Sequence, residues 1–253
     1  MRRLEGIAED LLSGLSALPE KSMRLGLFAR TLAALPPEDA ANLIEIIYGM
    51  DPRDTGASIV RAMMVDHDAL GCALGRTAYD SIYLAAIRLN LSRVERLFND
   101  IEPLRGGVSG YEEEEFVKTE HLSLGERRSL SKSHRYKDIE RLLSDPDPII
   151  VTNLLNNPRI TEREVLKIAS RRPNSPHVLK LVALHGKWSG RYEVLKAVSR
   201  NPYAFPRVSM ALIEGLLAQD LEEIAEDNTL HPELKLAARD LLDKKRRLIK
   251  GNH

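Results

Sequence analysis

Apolar residues recur along the first half of the chain in the three- and four-residue steps of a helix that buries one face. Leu4, Ile7, Leu11 and Leu15 form one such series, and Leu25, Phe28, Leu32 and Leu35 a second. Leu43, Ile44 and Ile47 form a third, Ile59, Val60 and Met63 a fourth, and Ile82, Ala86 and Leu89 a fifth. Polar residues fill the positions between, so the pattern predicts about five amphipathic helices. Start signals agree: Pro36-Pro37-Glu38-Asp39 precedes the third helix and Asp51-Pro52-Arg53-Asp54 the fourth. Proline suits a first turn, where its missing donor is not needed, and carboxylates complement the positive end of the helix dipole.

The second half repeats a shorter theme. Chain breaks recur at Asn157-Pro158-Arg159-Ile160-Thr161-Glu162, Arg172-Pro173-Asn174-Ser175-Pro176-His177, Asn201-Pro202-Tyr203-Ala204-Phe205-Pro206 and Asp227-Asn228-Thr229-Leu230-His231-Pro232. The first proline of such a segment ends one helix, and the Thr or Pro a few residues on suits the first turn of the next. Between the breaks lie short amphipathic stretches such as 165–169 and 178–182, and Leu166, Leu179 and Leu195 are the expected spine. Helices this short are marginal alone and gain stability by stacking on neighbours.

This pattern, Asn-Pro, two residues, Thr or Pro, then Val-Leu and a small residue, resembles the leucine-rich repeat variant and HEAT-like families of α-helical repeats over residues 138–243. The resemblance implies an all-α fold: an irregular α-solenoid of short helical repeats, a HEAT/armadillo-like superhelix, preceded by a helical N-terminal domain. The spacing departs from a regular repeat, with 44 residues from Pro158 to Pro202 and other openings about 15 and about 30 apart. More weakly, Leu35-Pro36-Pro37-Glu38-Asp39-Ala40-Ala41-Asn42-Leu43 resembles the armadillo-like superhelical domains of bacterial transporter and motor proteins.

Composition narrows the class. Aromatics are 5% of 253 residues, which disfavours an all-β fold, while 43% hydrophobic content suffices for a core. The single cysteine, Cys72, excludes an internal disulfide and any cysteine cluster for zinc or iron–sulfur, and points to a reducing compartment. No run reaches the length of a membrane span, and the acids after Met1-Arg2-Arg3 interrupt any signal-like apolar stretch, so a cytoplasmic location is expected.

The formal charge is zero but unevenly spread. Residues 1–116 carry 12 basic and 19 acidic side chains, and residues 117–253 carry 25 and 18. The seam is Gly106-Gly107-Val108-Ser109-Gly110 with Glu112-Glu113-Glu114-Glu115, where glycine entropy and like-charge repulsion oppose order. The expected organisation is therefore an acidic helical domain over 1–104, a Gly/Glu-rich linker over 105–125 and a basic repeat domain over 126–253.

Candidate chemistry follows the basic half. Arg163, Lys167 and Arg171 fall at four-residue intervals, predicting a line of cations on one helix face, and Lys196 and Arg200 repeat the interval. In stacked helices such lines merge into a stripe that suits acidic protein segments or a phosphate backbone. Lys187, Trp188 and Arg191 add the only tryptophan, which either stacks on a base or packs with Tyr192 on a buried helix face. His67, between Asp66 and Asp68, has no second ligand at metal spacing and reads as structural, Cys72 reads as a small buried residue, and Gly71-Cys72-Ala73-Leu74-Gly75 reads as a close helix approach. No catalytic motif, metal or cofactor site is expected. The chain reads as a non-catalytic binding or scaffold module for an acidic protein partner. The alternative is a nucleic-acid-binding protein, related in architecture to HEAT-like alkylpurine DNA glycosylases.

Overall fold

The computed structural model describes residues 2–51, 54–105 and 122–251. Among the described residues there are sixteen α-helices and no strand. The chain divides into two compact units, Met1–Ile101 and Glu102–His253, each with its own core. Most of the predicted linker lies outside the described residues; its last positions already open a helix.

The first unit comprises α1 (Arg2–Ala17), α2 (Lys21–Ala33), α3 (Pro37–Gly49), α4 (Thr55–Val65), α5 (His67–Leu74), α6 (Arg76–Arg88) and α7 (Ser92–Phe98). Leu15, Phe28, Leu32, Ile44, Ile47, Met64, Leu70, Ile82 and Leu97 are its buried centre. Five helices were expected and seven form. The two missed, α5 and α7, have 8 and 7 residues, too few for an apolar period to show itself. Leu89 lies beyond the end of α6 and is 39% exposed, so that helix buries Ile82, Ala85 and Ala86 instead.

Three features singled out in the sequence, His67, Cys72 and the Gly71–Gly75 segment, lie in this unit. His67 is buried, with Nε2 2.6 Å from the Leu97 carbonyl and Nδ1 2.9 Å from the Tyr79 hydroxyl, which in turn donates to Phe98 O at 3.0 Å. It ties α5, α6 and α7 together. Cys72 is exposed, contrary to the expectation of burial, because α5 turns Leu70 and Leu74 inward and the cysteine two residues from each faces outward. Gly71 and Gly75 do not mark a close helix approach either. Nothing lies within 4 Å of where a Gly75 side chain would sit, and its φ of 77° lets the chain leave α5 and enter α6 directly. The close approach is at Gly56, where a β-carbon would stand 2.6 Å from Leu12 Cβ and 2.8 Å from Leu12 O, so α4 crosses α1 almost backbone to backbone.

The second unit starts with α8 (Leu124–Leu130) and continues as four helix pairs: α9 (Tyr136–Leu142) with α10 (Pro148–Asn156), α11 (Glu162–Ser170) with α12 (Pro176–Leu184), α13 (Tyr192–Ser199) with α14 (Pro206–Leu212), and α15 (Ala218–Glu226) with α16 (Pro232–Gly251). Every second helix begins on a proline, and these prolines are 28, 30 and 26 residues apart. The irregular spacing expected from the sequence came from counting breaks within a pair together with a break between pairs. Sorted into the two kinds, the repeat is nearly regular. The second helices α8, α10 and α12 pack in succession, α14 packs on α16, and α11 on α13. Leu179 is fully buried, but Leu166 and Leu195 are only half-buried. Val165, Ile168, Val194 and Val198 take their place in the core.

Side chains in the turns stitch successive pairs together. Asn157 donates to Ser133 O at 2.8 Å while its Oδ1 accepts the Arg159 N–H at 3.0 Å. Asn201 donates to Ala169 O at 2.8 Å and Arg171 O at 2.9 Å, and accepts the Tyr203 N–H. Both amides are buried. The Asn-Pro segments thus do more than end a helix: each asparagine braces its own turn and satisfies a carbonyl further back, Asn157 in the turn that enters α9 and Asn201 at the end of α11. Arg171 donates to Ser144 O and Arg172 to Arg200 O in the same manner. Buried Arg127 and Asp145, 2.5 Å apart, join α8 to the first turn.

Two substitutions test this packing. Gly56→Ala forces the added carbon against Leu12 backbone and is expected to destabilise the first unit by about 1–3 kcal/mol in urea denaturation, the usual cost of overpacking. Leu179→Ala leaves a cavity between pairs and is expected to cost the second unit about 2–5 kcal/mol. A loss below about 0.5 kcal/mol at either site would remove that contact from the account.

Candidate interaction edge

The pairs present two sets of turns. Those joining the helices of one pair, residues 143–147, 171–175, 200–205 and 227–231, contain Asp145, Asp147 and Asp227 against Arg171, Arg172 and Arg200. Their charges balance. The turns that enter the first helix of the first three pairs are residues 131–135, 157–161 and 185–191. They carry Lys132, Arg135, Arg159, Lys187 and Arg191, with His134 and His185, and no Asp or Glu.

These three turns lie side by side. The Asn157 amide bonds the 131–135 turn through Ser133 O, and the Trp188 indole N–H donates to Leu155 O at 3.0 Å. His185 Nε2 is 3.3 Å from Asn156 Oδ1, and Arg191 reaches Glu162 at 4.0 Å. Lys132, Arg135 and Arg159 are exposed and make no ion pair among the described residues. Lys187 is exposed as well, its ammonium 4.2 Å from the Trp188 ring centre. Burial, and then Lys187, hold His185 below its ordinary pKa, so at neutral pH it adds no charge to the edge. The result is a row of five cations along one side of the second unit, of which Arg191 faces Glu162 and the other four have no carboxylate partner among the described residues.

The expected basic stripe on the helix faces is not what the structure assembles. Helix α11 ends at Ser170, so Arg171 stands outside the line begun by Arg163 and Lys167, half-buried with its guanidinium on Ser144 O. Lys167 is 4.0 Å from Glu140, Lys196 is 2.6 Å from Asp220, and Arg200 pairs with Glu223. Each acid comes from a neighbouring pair. Lys196, Arg200 and Arg172 do line a common cleft of about 380 Å³ between α11 and α13, but Glu193 shares it. Arg163, in an adjoining groove with Lys167, remains exposed. Trp188 is 2% exposed and sits in a turn before α13 rather than on the helix, so its ring packs inside and presents no face for base stacking. Lys132, Arg135 and Arg159 were missed as site residues because their turns become neighbours only through the Asn157 bond.

Tyrosine–carboxylate contacts close the seams next to this edge. The Tyr136 hydroxyl donates to Glu164 at 3.3 Å and the Tyr192 hydroxyl to Asp220. Burial works to raise the pKa of both acids, but donors outweigh it: Thr161 and Tyr136 at Glu164, Lys196 and Tyr192 at Asp220. Both carboxyls therefore lie below their ordinary range. Tyr192 is raised, by burial first and by its bond to Asp220, and Lys196 is raised by the same carboxylate. Among the described residues, no three His, Cys, Asp or Glu side chains converge as a metal ion requires, and no helix is long and apolar enough to cross a membrane.

A lowered folded-state pKa means that the stabilisation from Asp220 is complete above its unfolded value and is lost as pH falls through the folded one. Asp220→Asn is therefore expected to cost about 1–3 kcal/mol at pH 7, with the gap to wild type narrowing below about pH 4, the ordinary aspartate range. Urea midpoints at several pH values measure it, and a pH-independent gap would rule out the charged pairing. In comparisons with known proteins, no family model, curated protein or solved structure matches the chain.

Proposed function

We propose that the second unit is an irregular α-solenoid of short helical repeats that acts as a non-catalytic binding or scaffold module, with the edge carrying Lys132, Arg135, Arg159, Lys187 and Arg191 as its recognition surface. The observation that carries the reading is the contrast between the two sets of turns: three against three on one side, five cations and no carboxylate on the other. A row of this kind, in which four of the five cations have no carboxylate partner among the described residues, attracts and steers acidic partners. The partner in this reading is a protein segment rich in Asp and Glu. The regular succession of helix pairs, with like helices packed on like, supports the solenoid and its similarity to the HEAT-like and leucine-rich repeat variant families. One exposed thiol and no other cysteine suit a reducing, cytoplasmic setting.

Nucleic acid competes for the same charges. The buried Trp188 ring favours the protein partner, since single-strand binders add aromatic stacking to their cationic groove. A titration of the full chain with a Glu/Ser peptide and with duplex and single-stranded DNA, each over a salt series, separates the two. The peptide is expected to bind and weaken as salt rises. Lys132→Glu, Arg159→Glu and Lys187→Glu together are expected to weaken it at least about tenfold with helicity unchanged, because these side chains contribute charge to the surface and not to the core. Arg163→Glu with Lys167→Glu is expected to do less. DNA binding tighter than peptide binding at physiological salt, lost in the triple variant, would replace the acidic protein by nucleic acid.

A further inference from the structure

Helices α10 and α12 pack against each other and leave a groove of about 460 Å³ beside the basic edge. Leu155, Leu181 and Leu184 line it, with Thr152 and Asn156 on the rim and Lys187 at the end where the edge begins. The rim's polar atoms are already engaged. The Thr152 hydroxyl donates to Pro148 O at 2.7 Å, the Asn156 amide donates to Thr152 O at 2.9 Å, and Asn156 Oδ1 faces His185. Two properties remain for a ligand to meet: apolar wall, and the Lys187 ammonium, which has no carboxylate partner among the described residues. The groove lining contains no carboxylate.

We propose that this groove seats a bulky apolar side chain of the bound segment while a neighbouring carboxylate meets Lys187. The ligand is then an amphipathic acidic peptide and not a plain polyanion. This rests on the reading of the basic edge given above and adds a specificity element to it. Charge alone brings acidic chains to the edge without choosing among them, whereas an apolar anchor in a preformed groove discriminates by shape and by the water it displaces. Lys187 links the two surfaces, since it belongs to the 185–191 turn and also closes the groove.

Trp188 makes the proposal measurable. It is the single tryptophan, its ring lies under Lys187, and its indole N–H holds the carbonyl of Leu155, a groove residue. Three synthetic peptides of equal length, repeating Glu-Leu, Glu-Ser and Gln-Leu, are titrated into the full chain while Trp188 emission is followed. The Glu-Leu peptide is expected to shift the emission saturably and to bind at least about tenfold tighter than either control, about 1.4 kcal/mol. Leu184→Gln or Leu181→Gln is expected to erase its advantage over Glu-Ser without changing the affinity for Glu-Ser. Two half-buried positions are used so that a folding defect in one, visible by circular dichroism, leaves the other. Equal affinity for Glu-Leu and Glu-Ser would overturn the groove while leaving the basic edge standing. Equal affinity for Glu-Leu and Gln-Leu would overturn the role of Lys187, and absence of binding by all three would overturn both readings.

Discussion

The second unit depends on what happens to the carbonyls at the ends of very short helices. Among its described residues, eight of the nine helices have 9 residues or fewer, and each helix leaves its final carbonyls without an internal partner. Asparagine answers this because its amide both donates and accepts. Asn174 bonds Ile168 O and the Ser175 N–H within one pair, and Asn157 and Asn201 reach the pair before. A proline beside the asparagine removes a donor that the turn would otherwise have to satisfy. Packing of Val165, Ile168, Leu179 and Val198 then holds helices that would not persist alone.

That solution gives the two edges different chemistry. The turns within pairs spend their arginines on carbonyls and on neighbouring acids, as Arg171, Arg172 and Arg200 show. Their charges are structural. The turns that enter the first helices are braced by neutral groups, Asn157, the Trp188 indole and the His185 ring, so Lys132, Arg135, Arg159 and Lys187 are left to solvent and only Arg191 meets an acid, Glu162. The last such turn differs: residues 213–217 contain buried Glu214, and Lys245 donates to Leu216 O at 2.5 Å, so the basic row stops before the fourth pair.

The first unit holds its helix ends by other means. Arg61, 8% exposed, donates to Met50 O at 3.0 Å and lies over the Tyr48 ring at 5.4 Å, placing a cation at the C-terminal end of α3 where the helix dipole is negative. Arg24 similarly donates to Leu18 O at 2.7 Å just beyond α1. Its exposed ion pairs, Arg76 with Asp80 and Arg88 with Glu38, are weak contributors beside the burial of Phe28, Leu43 and Ile47.

The sequence by itself determined the helical class, the faces of the longer helices and the places where the chain must break, because apolar period and proline act within a few residues. It also carried the charge contrast between the halves. Helices α5 and α7 were illegible because one or two turns do not establish a period. Charge lines read from four-residue spacing failed at Arg171, since the helix ended one residue before it, and at Lys196 and Arg200, since Asp220 and Glu223 are distant in sequence and near in space. The tertiary structure decided which cations are neutralised and which turns adjoin. Neutralisation needs only a carboxylate within a few ångströms, from any part of the chain, as Arg191 finds in Glu162, and the row Lys132, Arg135, Arg159, Lys187 exists only once Asn157 and Trp188 have drawn three turns together.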